Sequence, residues 1–170
     1  MITDTDALPA DGQVCGFPPF FDGGSRVLIL GSFPSVKSRE VSFYYGNKLN
    51  SFWRILASFF KEELPVSVQD KRDFLSRHNI ALWDMVQKCT IKGSSDAAIK
   101  NFTVVNLQEV LQNCPIEFIL LNGGKASQLF ERHYRDIGIP YIKLPSTSPA
   151  NTKPKEGIWH DALRRAFDRT

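Results

Sequence analysis

Cysteine is scarce in this chain: three residues, Cys15, Cys89 and Cys114, odd in number and far apart. Such a set builds neither a disulfide framework nor a tetrahedral zinc site, and it falls short of the four thiolates of an iron–sulfur cluster. The three histidines, His78, His133 and His160, share no ligand spacing with a cysteine or a carboxylate, so no metal and no cofactor is expected. No apolar run approaches the ~20 residues of a membrane helix, and no cationic–apolar leader opens the sequence. The expectation is a soluble cytoplasmic protein. Neither sign of charge dominates: 21 Lys and Arg against 18 Asp and Glu leave +3, a mild lean toward an anionic partner. Internal repeats, low-complexity tracts, a Walker loop, a Gly-x-Ser-x-Gly elbow and a dinucleotide fingerprint are all missing. Gly123-Gly124-Lys125 is only a fragment of a phosphate loop, without its first glycine or its Ser/Thr.

What is present is an ordinary globular composition, 42% hydrophobic and 23% charged over 170 residues, enough for one domain with a real core. Residues 1–14 are polar and aperiodic and read as a flexible tail, leaving 15–170 as the single domain. Gly16-Phe17-Pro18-Pro19-Phe20-Phe21 is too rich in proline for a strand and reads as an apolar strap over the core. Strands are predicted over 26–31, 80–86, 117–122 and 140–144. Between them fall a helix starting near Asn50 and closed by Pro65, a helix over 68–78 with Ser67 and Asp70 as a capping box, and a short helix capped by residues 106–109. A further helix carries Ala126, Leu129, Phe130, His133 and Tyr134 on one side, and a last one over 156–168 buries Trp159, Ala162, Leu163 and Phe167. Residues 88–103 look irregular and long enough for a functional loop. Strands alternating with helices predict a three-layer α/β/α sandwich around a central, mainly parallel four-stranded sheet.

Two loops at strand ends concentrate the chemistry, and both should open on one edge of the sheet, where ligands of such sheets sit. The first, after Leu30, carries four rings within thirteen residues, Phe33, Phe43, Tyr44 and Tyr45, together with the amides of Asn47 and Asn50. A ring offers a stacking face, and an amide offers a donor and an acceptor side by side, which suits a base edge. Asn50 also stands where a cap of the following helix belongs. The second loop, 145–151, combines Ser146, Thr147 and Ser148 with Pro145, Pro149, Ala150 and Asn151. It reads either as a rigid capped turn or as a stiff wedge whose backbone N–H groups and hydroxyls bond phosphate, with Lys143, Lys153 and Lys155 adding charge. Trp53, Trp83 and Trp159 lie on apolar faces and read as core; Asp84 ends a strand and could face the cleft, though a lone carboxylate there is a weak signal.

Three stretches taken together, Gly31-Ser32-Phe33-Pro34-Ser35, Tyr44-Tyr45-Gly46-Asn47-Lys48-Leu49-Asn50-Ser51-Phe52-Trp53 and Leu144-Pro145-Ser146-Thr147-Ser148-Pro149-Ala150-Asn151, resemble the hypoxanthine-DNA (deoxyinosine) glycosylase branch of the uracil-DNA glycosylase superfamily. The stretches at 80–84, 95–101 and 122–126 support the likeness, which runs from about Gly16 onward. It implies the same α/β/α fold, no cofactor, and DNA containing a deaminated base as the partner of an enzyme that acts at the nucleoid; a monomer is expected because no extended apolar surface pattern is evident. It implies hydrolysis of the N-glycosidic bond of a flipped base. Tyr45 would stack on that base, with Ser32, Phe33 and Asn122 around it. Ser146, Thr147, Ser148, Pro149, Ala150, Asn151, Lys37 and Lys153 would hold the DNA. Other branches place Asp or Asn where this chain has Phe33, and often a His in the second motif, which is missing here. The water-placing group is therefore expected to be Asn50, or after it Asn47. An amide is a weak base, so the chemistry would rest on orientation and favour hypoxanthine, whose N7 accepts a proton or hydrogen bond as the bond breaks. A uracil or mismatched-thymine glycosylase, and a catalytically inactive DNA-damage or nucleotide-binding module, stay open as alternatives.

Overall fold

Residues 13–90 and 100–168 are described by a computed structural model of the chain. In order they form β1 (Gln13–Cys15), β2 (Val27–Gly31), α1 (Val36–Val41), α2 (Phe52–Phe60), α3 (Val68–Arg77), β3 (Ile80–Asp84), β4 (Val86–Thr90), β5 (Lys100–Val104), α4 (Gln108–Leu111), β6 (Phe118–Asn122), α5 (Gly124–Tyr134), β7 (Tyr141–Leu144) and α6 (Glu156–Phe167).

The continuous apolar runs of β2, β3 and β6 are buried at every position, as strands covered on both faces must be. With β7 they make an all-parallel sheet in the order β3-β2-β6-β7. α5 packs on β2, β6 and β7; α6 packs on β6, β7 and α2; α3 packs on β3. This is the four-stranded α/β/α arrangement read from the sequence. Between β2 and β6 the order of the strands along the chain reverses, so the loops leaving their carboxyl ends diverge and leave a crevice.

Phe52, Trp53, Ile55, Leu56 and Ala57 of α2 form one buried face. Each large side chain so buried stabilises the fold by about 1.5–3 kcal/mol. The capping box of α3 is formed: Asp70 N–H donates to Ser67 Oγ at 3.0 Å, and Ser67 N–H reaches Asp70 Oδ2 at 3.5 Å. The strap lies where expected. Phe20 and Leu82 exchange two backbone hydrogen bonds of 2.9 Å, and Phe17, Phe20 and Phe21 pack on the core.

Several features differ from the sequence expectation. Gln13 and Val14, read as tail, belong to β1, which pairs antiparallel with β4; positions 1–12 lie outside the described residues. The predicted strand 80–86 ends at Asp84, and the chain passes at once into β4. The two ends of the irregular stretch 88–103 are instead strand, in a second sheet β1-β4-β5, with 91–99 outside the described residues. Its strands carry few apolar residues and a broken register between β4 and β5, so no alternation announces them. α1, inside the first loop, is too short to show a period. α2 ends at Lys61, whose left-handed backbone (φ 55°) stops the helix before Pro65 is reached. His133 is exposed rather than on the inner face of α5.

Candidate active site

The floor of the crevice is made by strand ends. Gly31 of β2 and Asp84 of β3 are register partners, so a side chain at either position would project on the same face. A Cβ on Gly31 would stand 2.5 Å from Asp84 Oδ1 and 2.9 Å from Tyr45 Oη. Glycine at 31 is therefore required for these two groups to approach the strand. Asp84 is only 4% exposed.

The first loop is braced rather than loose. Ser35 caps α1 by accepting from Ser38 N–H at 3.1 Å, and buried Ser38 accepts from Gly46 N–H at 2.9 Å, tying the helix to the turn after Tyr45. Tyr45 has a left-handed backbone (φ 54°), uncommon for a residue with a large side chain. Its ring stacks on Phe52 at 4.0 Å between centroids and 26° between planes. Trp53 Nε1 donates to the Tyr44 carbonyl at 3.1 Å, and Tyr44 Oη donates to the Pro18 carbonyl at 2.8 Å. Burial first, then the charge of Asp84 and neighbouring Tyr45, raise the Tyr44 phenol well above the ordinary tyrosine range. Asn47 Oδ1 accepts from Leu49 N–H at 3.0 Å, and Asn50 Oδ1 accepts from Phe52 N–H at 2.9 Å; the N-cap position of α2 falls to Ser51 rather than to Asn50 as read, so Asn50 holds the first helical N–H from one residue before the cap. Between these amides Leu49 is 71% exposed.

The second loop is welded to β6 and α6. Asn122 Nδ2 donates to Thr147 Oγ1 and Thr147 N–H donates to Asn122 Oδ1, both at 3.0 Å. Gly123 has φ 97°, and a Cβ there would lie 3.2 Å from Ser146 Cβ. Trp159 Nε1 donates to the Pro145 carbonyl at 2.9 Å. Ser51 N–H and Oγ both donate to the Thr147 carbonyl, at 3.0 and 3.1 Å, joining the two loops. Within the loop, Ser148 N–H donates to Ser146 Oγ, Ala150 N–H to Ser148 Oγ, and Asn151 Nδ2 to the Ser146 carbonyl. The backbone N–H groups of 147, 148, 150, 151 and 153 thus already have acceptors. This corrects the expectation that they grip phosphate. The Ser146 and Ser148 hydroxyls, which accept from these N–H groups, are donors the loop still offers.

Together the loops and strand ends enclose a cleft of about 680 Å³. Ser32, Phe33, Tyr45, Asn47, Asn50, Asn122, Ser146, Thr147, Ser148, Pro149, Ala150 and Asn151 all line it. Phe43, one of the four rings of the first loop, is buried in the core instead, and two residues expected to hold DNA also do not line the cleft. Lys37 is exposed on α1 beside Glu40 at 3.5 Å, and Lys153 is exposed beyond Asn151. Lys143 is also removed from the loop's charge, because its ammonium pairs with Glu131 at 3.1 Å. The Arg39 guanidinium lies 5.9 Å from the centre of the Phe33 ring. Tyr44 lines the cleft as its place among the rings of the first loop suggested, Ser35 and Ser38 line it unforeseen, and buried Asp84 also borders it. For Asp84 a signal existed in its position at the end of a buried run; for Ser38 there was none, since α1 itself was hidden. Among the described residues no group of three or more His, Cys, Asp or Glu could hold a metal ion, and no helix is long and apolar enough to cross a membrane.

A parallel sheet that opens at its topological switch point on a cleft walled by a ring, amides and hydroxyls is the layout of an α/β/α ligand-binding protein. The model of the uracil DNA glycosylase superfamily matches residues 18–167, and the chain belongs to that superfamily. A hypoxanthine DNA glycosylase of Methanosarcina barkeri (strain Fusaro / DSM 804) is 33% identical over 155 residues, spanning 88% of this chain and 98% of the relative. A second protein of that name, from Methanosarcina acetivorans, is 34% identical over 154 residues, 88% of this chain and 97% of its own. A solution NMR structure from Methanosarcina acetivorans, described provisionally as a uracil DNA glycosylase, superposes with a TM-score of 0.79 at 31% identity. That match covers 91% of this chain and 98% of the other.

Proposed function

We propose that this protein is a DNA glycosylase that removes hypoxanthine by hydrolysing its N-glycosidic bond, working as a single chain. The observation that carries the reading is the convergence on one cleft of the Tyr45 ring, the Asn47 and Asn50 amides and the 145–151 loop. The names of the two Methanosarcina relatives support hypoxanthine as the base.

A base inside a duplex must leave the stack, at a cost of a few kcal/mol that is lowest for a mispaired base. Tyr45 receives it. Phe52 backs one face of the Tyr45 ring, so the platform is in place before the base arrives. A base–aromatic stack contributes about 1–3 kcal/mol. Ser32, Phe33 and Asn122 surround the base, with the Asn122 amide mainly holding Thr147. The Ser146 and Ser148 hydroxyls and, at the rim, Lys37 and Lys153 hold the phosphates, with Thr147, Pro149, Ala150 and Asn151 shaping the loop against the groove.

The C1′–N9 bond then breaks toward an oxocarbenium-like sugar, and its electron pair goes to the base. Asn50, fixed through Oδ1 by Phe52 N–H, uses Nδ2 to hold a water against C1′. Asn47 is the alternative holder. The water oxygen bonds C1′, and the proton it loses balances the charge gained by hypoxanthine. An electrophile this strong needs orientation more than a strong base, which an amide can supply. Incubation with labelled duplexes bearing hypoxanthine, uracil or mispaired thymine, followed by alkali, tests the reading. Strand breaks at hypoxanthine are expected, fewer at uracil. Tight binding with no break at any base would instead make the protein a damage-binding module.

A further inference from the structure

The reaction just described makes no use of Leu49. Asn50 N–H donates to the Asn47 carbonyl at 2.9 Å, closing residues 47–50 into a turn with Lys48 and Leu49 at its tip. The two feet of the turn, Asn47 and Asn50, line the cleft, while the Leu49 side chain stands outside it, 71% exposed. Among the described residues only Val66 is a more exposed large apolar side chain, and it belongs to the α2–α3 connection, which takes no part in the cleft. A solitary surface leucine is ordinary. This one is held in place. Asn47 Oδ1 accepts its N–H at 3.0 Å, and Arg54 Nη1 donates to the Lys48 carbonyl at 3.0 Å, so the tip turns its polar backbone inward and a hydrocarbon knob outward.

The surroundings of the tip name its partner. No acidic residue occurs between Glu40 and Glu62, and Lys48 and Arg54 are both exposed, so the tip suits a polyanion with an apolar interior rather than a second protein surface. Base-paired DNA is such a partner. Ser51 N–H and Oγ, both on the Thr147 carbonyl, join the turn to the second loop, and Leu49 and Pro149 each lie two residues from that joint. When a base leaves the stack, its neighbours are left with a gap one base thick. Ala150 ends at Cβ and Pro149 is a ring closed on its own backbone, whereas Leu49 is long enough to reach into that gap. We propose that Leu49 is a wedge: it enters the base stack from the first loop, occupies the place of the extruded hypoxanthine and blocks its return, as apolar side chains do at kinked base steps. The inference goes beyond the base-excision reading and rests on it. The gap is the same whatever base stands opposite, and the tip brings it no donor or acceptor, so the wedge fills the gap without reading the partner base.

The test compares wild type, Leu49→Ala and Leu49→Met in single-turnover excision of hypoxanthine from a single strand and from duplexes with dC or dT opposite. Leu49→Ala should slow excision from both duplexes by similar factors of roughly 20-fold or more, the scale of removing three carbons from a buried apolar contact. The single strand has no gap to fill and should change less than about threefold. Leu49→Met keeps the reach and should stay within about threefold of wild type on every substrate. A second readout needs no turnover. A 2-aminopurine next to hypoxanthine in the duplex should brighten on binding wild type, as its stacking neighbour departs, and brighten far less with Leu49→Ala. Equal slowing on single strand and duplex, a defect confined to one opposing base, or the same brightening with both proteins would overturn the proposal. If wild type releases no hypoxanthine from any substrate, the base-excision reading falls and this inference with it; release by wild type with Leu49→Ala unimpaired on the duplexes defeats the inference alone.

Discussion

Asn122 and Thr147 hold each other by a reciprocal pair of 3.0 Å hydrogen bonds, amide to hydroxyl and backbone N–H to amide oxygen, both buried. The end of β6 is thereby clamped to the loop that borders the cleft. In Asn122→Ala, the Thr147 N–H loses its acceptor in a dry site, at a cost of about 1–3 kcal/mol. The expected result is a Tm lower by roughly 2–4 °C for each kcal/mol, together with faster hydrogen exchange at the Thr147 amide than at the β2 strand.

In the proposed reaction Asn50 has two duties that one substitution can separate. Its Oδ1 accepts from Phe52 N–H at the start of α2, and a serine in its place keeps an accepting oxygen at a cost of only a few tenths of a kcal/mol. Serine lacks the amide nitrogen. Asn50→Ser is expected to melt within about 2 °C of wild type while its single-turnover rate on hypoxanthine falls about 100-fold, the usual worth of a lost orienting or electrostatic donor. Equal stability with an unchanged rate would shift the water to Asn47.

Trp159 and Trp83 offer a matched comparison. Each indole N–H donates to a loop carbonyl, Trp159 to Pro145 at the cleft and Trp83 to Phe17 in the strap. Trp159→Phe and Trp83→Phe should each lower stability by about 1–3 kcal/mol through the orphaned carbonyl. Only Trp159→Phe should also slow base excision more than tenfold, measured below both melting temperatures, because only its loop touches the cleft.

Acid stability should depend on Glu62. The hydrogen bond from His78, with help from Arg77 at 3.1 Å, holds the Glu62 carboxyl below its ordinary range. A depressed folded-state value means that this contribution is complete above the unfolded value of about 4.3 and is lost as pH falls through the lower folded one. Glu62→Gln should therefore lie below wild type in Tm near pH 6 and converge with it toward about pH 3. Melting curves across that range check the slope.

The parallel sheet and both cleft loops were legible because their signals are local. Val27-Leu28-Ile29-Leu30 and Phe118-Ile119-Leu120-Leu121 are uninterrupted apolar runs, and a run of that length buried on both faces has few other homes. The capping box at Ser67 and Asp70 is likewise a pattern of neighbours. The second sheet was hidden because Gln13–Cys15 finds its partner more than seventy residues away, and nothing in three half-polar residues states that address. Asn47, Asn50 and Tyr45 could be named from residue type and spacing. That Asn122 would bond Thr147, and that Asp84 would face Gly31, follow from strand register, which only the folded sheet supplies. The backbone donors of 145–151 were misread for a similar reason: their acceptors are side chains of the same turn, visible only once the turn is closed.

Three indoles moor the strap, the Tyr45 turn and the 145–151 loop to the hydrophobic interior, through the carbonyls of Phe17, Tyr44 and Pro145. A mould fixed at so many points does not remodel itself around what it meets. In the proposed reaction the work of adjustment passes to the nucleic acid, which must buckle, unpair and rotate a nucleotide outward to fit. Discrimination among lesions then begins before any contact inside the cleft, in how weakly each damaged pair holds together.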